Sequence, residues 1–207
     1  MPESVTAGVE GGGAIGSLLL ASLAVMGSPG PTTMSLVAIG SAFGVRRCLP
    51  YLVGVVLGTT AVLVAVATGV TAALLAVPAL GGVLTAVAVA YILWLAFHIA
   101  TAPPLSEQPT ASGVPSLLGG AFLGVANPKA WIAIAAVFTS ARLSPDAGTD
   151  AAGKRAILTA MIVAIHVGWL LVGASIAPLL RHRRWSRVIN LTLAAALVVA
   201  TVLAVLP

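Results

Sequence analysis

No Asp, Glu, Lys or Arg occurs from Cys48 to Ser106, and that run decides the solvent in which this chain folds. A hydrocarbon layer is crossed by roughly 20 residues of helix, so the run holds two spans. Inside a bilayer the backbone must bond to itself, which leaves helices or a closed barrel. Long unbroken apolar runs such as these read as helices. Composition agrees: the chain is 59% hydrophobic and 7% charged, against about 25% charged in an ordinary soluble domain. Its mean hydropathy is +1.12. The sequence predicts an all-α integral membrane protein forming one polytopic domain over 1–207, with no polar block large enough for a soluble catalytic domain.

Six spans are predicted: Gly13 to Phe43, Cys48 to Val77, Gly81 to Ala100, Pro115 to Ala141, Ala156 to Leu180 and Val188 to Leu206. Pro78 with Gly81-Gly82 is expected to mark the turn between the second and third. The expected linkers are a tight basic turn at Gly44 to Arg47, a Pro/Ser/Gln-rich stretch at Thr101 to Val114, and a polar, acidic one at Ser144 to Gly153. The net charge of +5 resides almost entirely at span ends, which points to topology rather than to a nucleic-acid partner. Arg46, Arg47, Arg181, Arg183, Arg184 and Arg187 fall on one side, and Arg142, Lys154 and Arg155 on the other. Six against three places both termini outside the cytoplasm. Glu3 and Glu10 replace the basic start of a secretory signal, so the first span is expected to be retained. Cys48 stands alone, which excludes an intramolecular disulfide or a cysteine metal cluster.

Two of the six spans are broken. Pro29-Gly30-Pro31 interrupts the first, and Asn127-Pro128-Lys129 interrupts the fourth. Proline removes a backbone donor and clashes with the preceding turn, so each breaker ends one half-helix and begins another. Breaks at corresponding positions imply two three-helix halves, 1–105 and 106–207. Because three is odd, the second half enters the bilayer from the opposite face, and such inverted repeats allow alternating access.

The order and spacing of Pro29-Gly30-Pro31, Gly44-Val45-Arg46-Arg47, Gly54 with Gly58, and Asn127-Pro128-Lys129-Ala130 resemble the LysE-type (lysine exporter) translocator family. The likeness covers about Leu18 to Pro207. It implies a multi-pass protein of the bacterial inner membrane that exports an amino acid or related metabolite, driven by the proton gradient. Members commonly carry Asn after the Pro-Gly-Pro and Asp after the second glycine of the second span; this chain has Thr32 and Thr59 there. All five acids, Glu3, Glu10, Glu107, Asp146 and Asp150, lie in the tail or loops. A cationic substrate would therefore bury its charge without a counter-ion, and a neutral substrate is expected.

The candidate substrate site comprises Pro29, Gly30, Pro31, Thr32, Thr33, Asn127, Pro128 and Lys129. Pro29, Gly30 and Pro31 shape it rather than touch a ligand. Lys129 sits at bilayer depth, where charge marks function by default. At the positive N-terminus of its own half-helix, its charge calls for a substrate carboxylate; the alternative is that it snorkels to the interface. Asn127 caps the break or binds substrate, and Thr32 and Thr33 share that ambiguity. His166, central in the fifth span, is the candidate proton carrier, or else a hydrogen-bonded helix contact. Gly54 and Gly58 permit close helix approach within the protomer or across a homodimer. No cofactor and no metal is expected, and no catalytic set is present in the sequence. The competing reading is export of a lipid, glycolipid or other solute on the same fold.

Overall fold

The computed structural model describes residues 13–69, 78–101, 116–178 and 183–205, and all regular structure among them is helical. In chain order the helices are α1 (Gly13–Met26), α2 (Pro31–Phe43), α3 (Val45–Ala67) and α4 (Pro78–Ala100). They continue with α5 (Leu117–Ala126), α6 (Pro128–Thr139), α7 (Ala147–Ser175) and α8 (Arg183–Val205). The breakers act as expected: α1 and α2 meet at a 68° bend, α5 and α6 at 60°. α3, α7 and Arg184–Leu203 of α8 are each long and apolar enough to cross a membrane, and counting each bent pair as one span gives five. α4 runs for 23 residues, Pro78–Ala100, and its apolar stretch described without interruption is Val89–Ala100. Leu20, Phe97, Leu118, Ile132 and Leu203 are exposed, an outer surface suited to lipid.

Several boundaries differ from the hydropathy reading, because caps rather than hydropathy start and stop a helix. Gly44, at φ +77°, is by itself the corner between α2 and α3; a left-handed residue there favours glycine. Val45, Arg46 and Arg47, expected in a turn, form the first turn of α3. The stretch read as an acidic linker is largely the start of α7. Asp146 caps it by accepting from the Thr149 amide at 2.8 Å, and Asp150 pairs with Lys154 at 2.8 Å. Pro78 heads α4, with Gly81 and Gly82 in its first turns, rather than marking a turn, and residues 70–77 before it lie outside the described residues. The expected linker at 102–114 and the loop residues Arg181 and His182 also lie outside them, whereas Arg183 begins α8.

Glycines bring the halves together. A Cβ on Gly54 would strike the Leu117 carbonyl and the Ala121 amide, and one on Gly58 the Ala121 carbonyl. From the facing helix, Gly120 abuts the Tyr51 carbonyl and Gly124 the Thr59 amide. α3 and α5 therefore touch backbone to backbone, a contact that in lipid relies on van der Waals packing between small residues. Gly54 and Gly58 are used inside the protomer. Gly40 on α2 and Gly173 on α7 do the same for a second crossing, against Leu170 and Val37. α3 packs on α5 and α6, α7 packs on α1 and α2, and α4 pairs with α8. One buried cluster centres on Leu36, Tyr51, Val55, Leu123 and Leu197, and a second on Leu18, Leu63, Ile134 and Ile162. Cys48 is wholly buried in the first.

Gly58→Leu forces α3 off α5 and is expected to cost about 3 kcal/mol or more, read as a lower thermal midpoint in detergent. Gly168→Ala, where an added Cβ meets nothing within 4 Å, leaves the midpoint unchanged.

Candidate functional site

The two breaks, about a hundred residues apart in sequence, face each other. α2 starts at Pro31 after an extended Gly30. Thr33 closes that start, its Oγ1 accepting from the Gly30 amide at 2.8 Å and donating to the Gly30 carbonyl at 3.0 Å. α6 starts at Pro128, and Asn127 caps it by accepting from the Lys129 amide at 3.1 Å. Asn127 also reaches Thr32 across the gap, Nδ2 to Oγ1 at 3.4 Å. Capping is thus what the Asn127 carbonyl oxygen does, and its amide nitrogen ties the two halves together.

Lys129 spans the same gap. Its ammonium donates to the Ser28 carbonyl at 2.5 Å, the Ser28 hydroxyl at 2.8 Å and the Pro29 carbonyl at 2.9 Å. An ammonium has three donors, and all three are used. A charge at the positive end of its own half-helix is expected to call for a substrate carboxylate. In this structure the Lys129 Nζ lies beyond the end of α1, where unsatisfied carbonyls carry partial negative charge, and is paired with the Ser28 and Pro29 carbonyls. Gly30 makes room for the stem: a Cβ there would lie 2.7 Å from Lys129 Cδ.

Three other carbonyls at the breaks also have side-chain donors. Trp169 of α7 donates to the Gly27 carbonyl at 3.0 Å, Ser28 Oγ to Val25 at 2.8 Å, and Trp131 to Val125 at 2.7 Å. Each is a polar group that hydrocarbon would leave unpaired.

Between the breaks lies a polar cavity of about 30 Å³, which admits water but is too tight for an amino acid. Of the expected residues, Gly30, Thr32, Thr33, Asn127, Lys129 and His166 line it. Pro31 and Pro128 do not; they set the helix starts. Pro29 faces a second, larger space of about 580 Å³, an open apolar groove between α1, α6 and α8 that Ser28 and Lys129 also border.

His166 is 5% exposed, and its Nδ1 lies 2.7 Å from the Ile162 carbonyl. A carbonyl only accepts, so Nδ1 carries the hydrogen and Nε2 is the nitrogen able to take up a proton. Among the described residues the carboxylates are Asp146 and Asp150, both at the start of α7, and neither lines the cavity.

Three contributors escaped sequence reasoning. Ser28 supplies two of the Lys129 contacts, and its place just before Pro29-Gly30-Pro31 was the available signal. Trp169, one turn beyond His166, was not singled out. Thr59 lines the cavity but was noted only as a departure from the family pattern.

An apolar multi-helix bundle with two broken helices closed over an internal polar site defines a multi-pass membrane protein of the translocator class. The chain belongs to the LysE type translocator family, whose model matches residues 22–206. It is similar to the cysteine/O-acetylserine efflux proteins of Salmonella typhi and Salmonella paratyphi A (strain ATCC 9150 / SARB42). Both comparisons give 33% identity over 81 residues, 39% of this chain and 42% of the relative. The match therefore spans less than half the length of these curated relatives. No solved structure matches the chain.

Gly30→Ala displaces the Lys129 stem without straining the extended backbone. A double-mutant cycle on thermal unfolding with Lys129→Ala is expected to give a coupling of about 1–3 kcal/mol, the second substitution costing little once the stem is gone.

Proposed function

We propose that this protein is a secondary transporter of the bacterial inner membrane that exports a neutral amino acid by alternating access between two inverted three-helix halves. The observation that carries the reading is the pair of helix breaks clasped across a buried polar cavity by Lys129 and Asn127. Broken helices meeting at bilayer depth are the usual form of a transporter's substrate site. The crossed packing, α3 on α5 and α6 and α7 on α1 and α2, is the arrangement two inverted repeats would produce.

The cavity in its present form is an occluded state. A substrate carboxylate takes the place of the Ser28 and Pro29 carbonyls on the Lys129 ammonium, which loosens the clasp while the charge remains paired. Pro29, Gly30, Pro31, Thr32, Thr33, Asn127, Pro128 and Lys129 form the site. With no carboxylate on the cavity wall among the described residues, a cationic side chain has no counter-ion. Cysteine and O-acetylserine, named in the matched relatives, belong to the neutral class this favours. His166 carries the coupling proton through Nε2. The second reading, export of a lipid or glycolipid, draws on the open groove that shares Ser28 and Lys129 with the polar cavity.

Counterflow of a labelled panel of amino acids in proteoliposomes is the deciding experiment. Exchange of a neutral amino acid, lost by at least about tenfold in Lys129→Ala as the charge-assisted contact disappears, is the expected outcome. Exchange of no amino acid by folded protein moves the lipid reading to the front. In His166→Gln, counterflow persists while accumulation driven by a pH gradient is lost; retained pH-driven accumulation removes His166 from the mechanism. Reporter fusions are expected to place both ends of the chain outside the cytoplasm, and a cytoplasmic signal from either end reverses the assigned orientation.

A further inference from the structure

Helical serines and threonines in a membrane protein commonly return their hydroxyl hydrogen to a carbonyl three or four residues earlier. Ser22, Ser41, Thr139 and Thr201 all do so here. Thr59 does not. It is 4% exposed, and its Oγ1 is enclosed without a hydrogen-bond partner. Thr60 beside it also lacks one, but Thr59 is the residue that lines the polar cavity, with Thr32, Asn127 and His166.

The backbone at this position is held by a close crossing. α3 and α5 touch there: a Cβ on Gly124 would lie 2.8 Å from the Thr59 amide nitrogen and 2.8 Å from the Val55 carbonyl. Val55 is also the residue four earlier, whose carbonyl the hydroxyl would ordinarily use. A close helix crossing thus fixes a buried polar group on the wall of the cavity and leaves its hydrogen bond to whatever enters.

We propose that Thr59 is the specificity-determining residue of this cavity, its hydroxyl bonding an uncharged polar group on the substrate's side chain, such as a hydroxyl, thiol or ester oxygen. The inference rests on the exporter reading above and adds the end of the substrate away from its carboxylate. A hydroxyl both donates and accepts, so it serves any neutral polar group. An aliphatic side chain that fills the cavity and excludes its water leaves the hydroxyl unpaired, which is how a polar site rejects an analogue lacking the matching group.

Serine and alanine differ only by a hydroxyl and make the probe pair. Their counterflow in proteoliposomes is measured for the wild-type chain, for Thr59→Val, which keeps the side chain's shape, and for Thr59→Ser, which keeps its hydroxyl. All three are first checked by thermal unfolding in detergent. The expected result is a serine-to-alanine ratio that falls about tenfold in Thr59→Val, the factor one neutral hydrogen bond supplies, and recovers in Thr59→Ser. An unchanged ratio overturns the proposal, as does equal loss of both substrates, which assigns Thr59 a structural role. Failure of folded wild type to exchange any amino acid of the labelled panel removes the exporter reading together with this one, whereas exchange of others but not serine overturns only this one. Exchange of serine and alanine at a ratio indifferent to Thr59 removes only this one.

Discussion

The contact on which the rest of the site depends is the ammonium of Lys129 lying among the Ser28 carbonyl, the Ser28 hydroxyl and the Pro29 carbonyl. Each partner answers a need the other creates. A helix broken inside a bilayer frees carbonyls that hydrocarbon cannot satisfy. A lysine at that depth carries a charge that hydrocarbon cannot solvate. Placed together, the cation gains three acceptors and the break in α1 gains its donors, at the end of a helix where positive charge is favoured. Because the cation comes from the second half of the chain and the carbonyls from the first, this local satisfaction is also the tie between the halves.

That tie requires short distances elsewhere. The half-helices on which the breaks sit are only 13, 10 and 12 residues long in α2, α5 and α6, and apolar side chains surrounded by lipid gain little by associating. Glycine supplies what hydrophobicity does not. Gly54, Gly58, Gly120 and Gly124 let α3 and α5 touch backbone to backbone, and Gly40 with Gly173 does the same for α2 and α7. These crossings hold the breaks opposite each other and press Thr59 against the cavity. The pairs tying the breaks together are side-chain hydrogen bonds that a polar ligand can replace, whereas the crossings are backbone contacts that no ligand replaces. The parts suited to move and the parts suited to stay are thereby separated.

Much of this was legible in the order of residues, and what was not depends on contacts between distant segments or on helix caps. The uncharged run around Lys129 marks it as a candidate, but the hydrogen-bond partners of its ammonium cannot be read from neighbouring sequence. Ser28 and Pro29 are separated from it by about a hundred positions, and no local rule reaches that far. His166 was found because it is a titratable group in an apolar span. The orientation of its Nδ1 toward Ile162 needed the helix. Boundaries slipped at Val45, Ala147 and Arg183 because hydropathy marks where lipid begins, while Gly44 and the Asp146 cap decide where helices begin.

The sequence by itself determined the membrane class, the all-α architecture, the two breaks and the family, because each follows from which residues hydrocarbon tolerates and from short patterns of proline, glycine and charge. Only the tertiary structure decided that Lys129 bonds Ser28 and Pro29, that Asn127 meets Thr32, and that Thr59 and His166 line one cavity. Those outcomes depend on which helix faces lie together, and a face is fixed by close crossings between distant segments, which one-dimensional spacing does not encode.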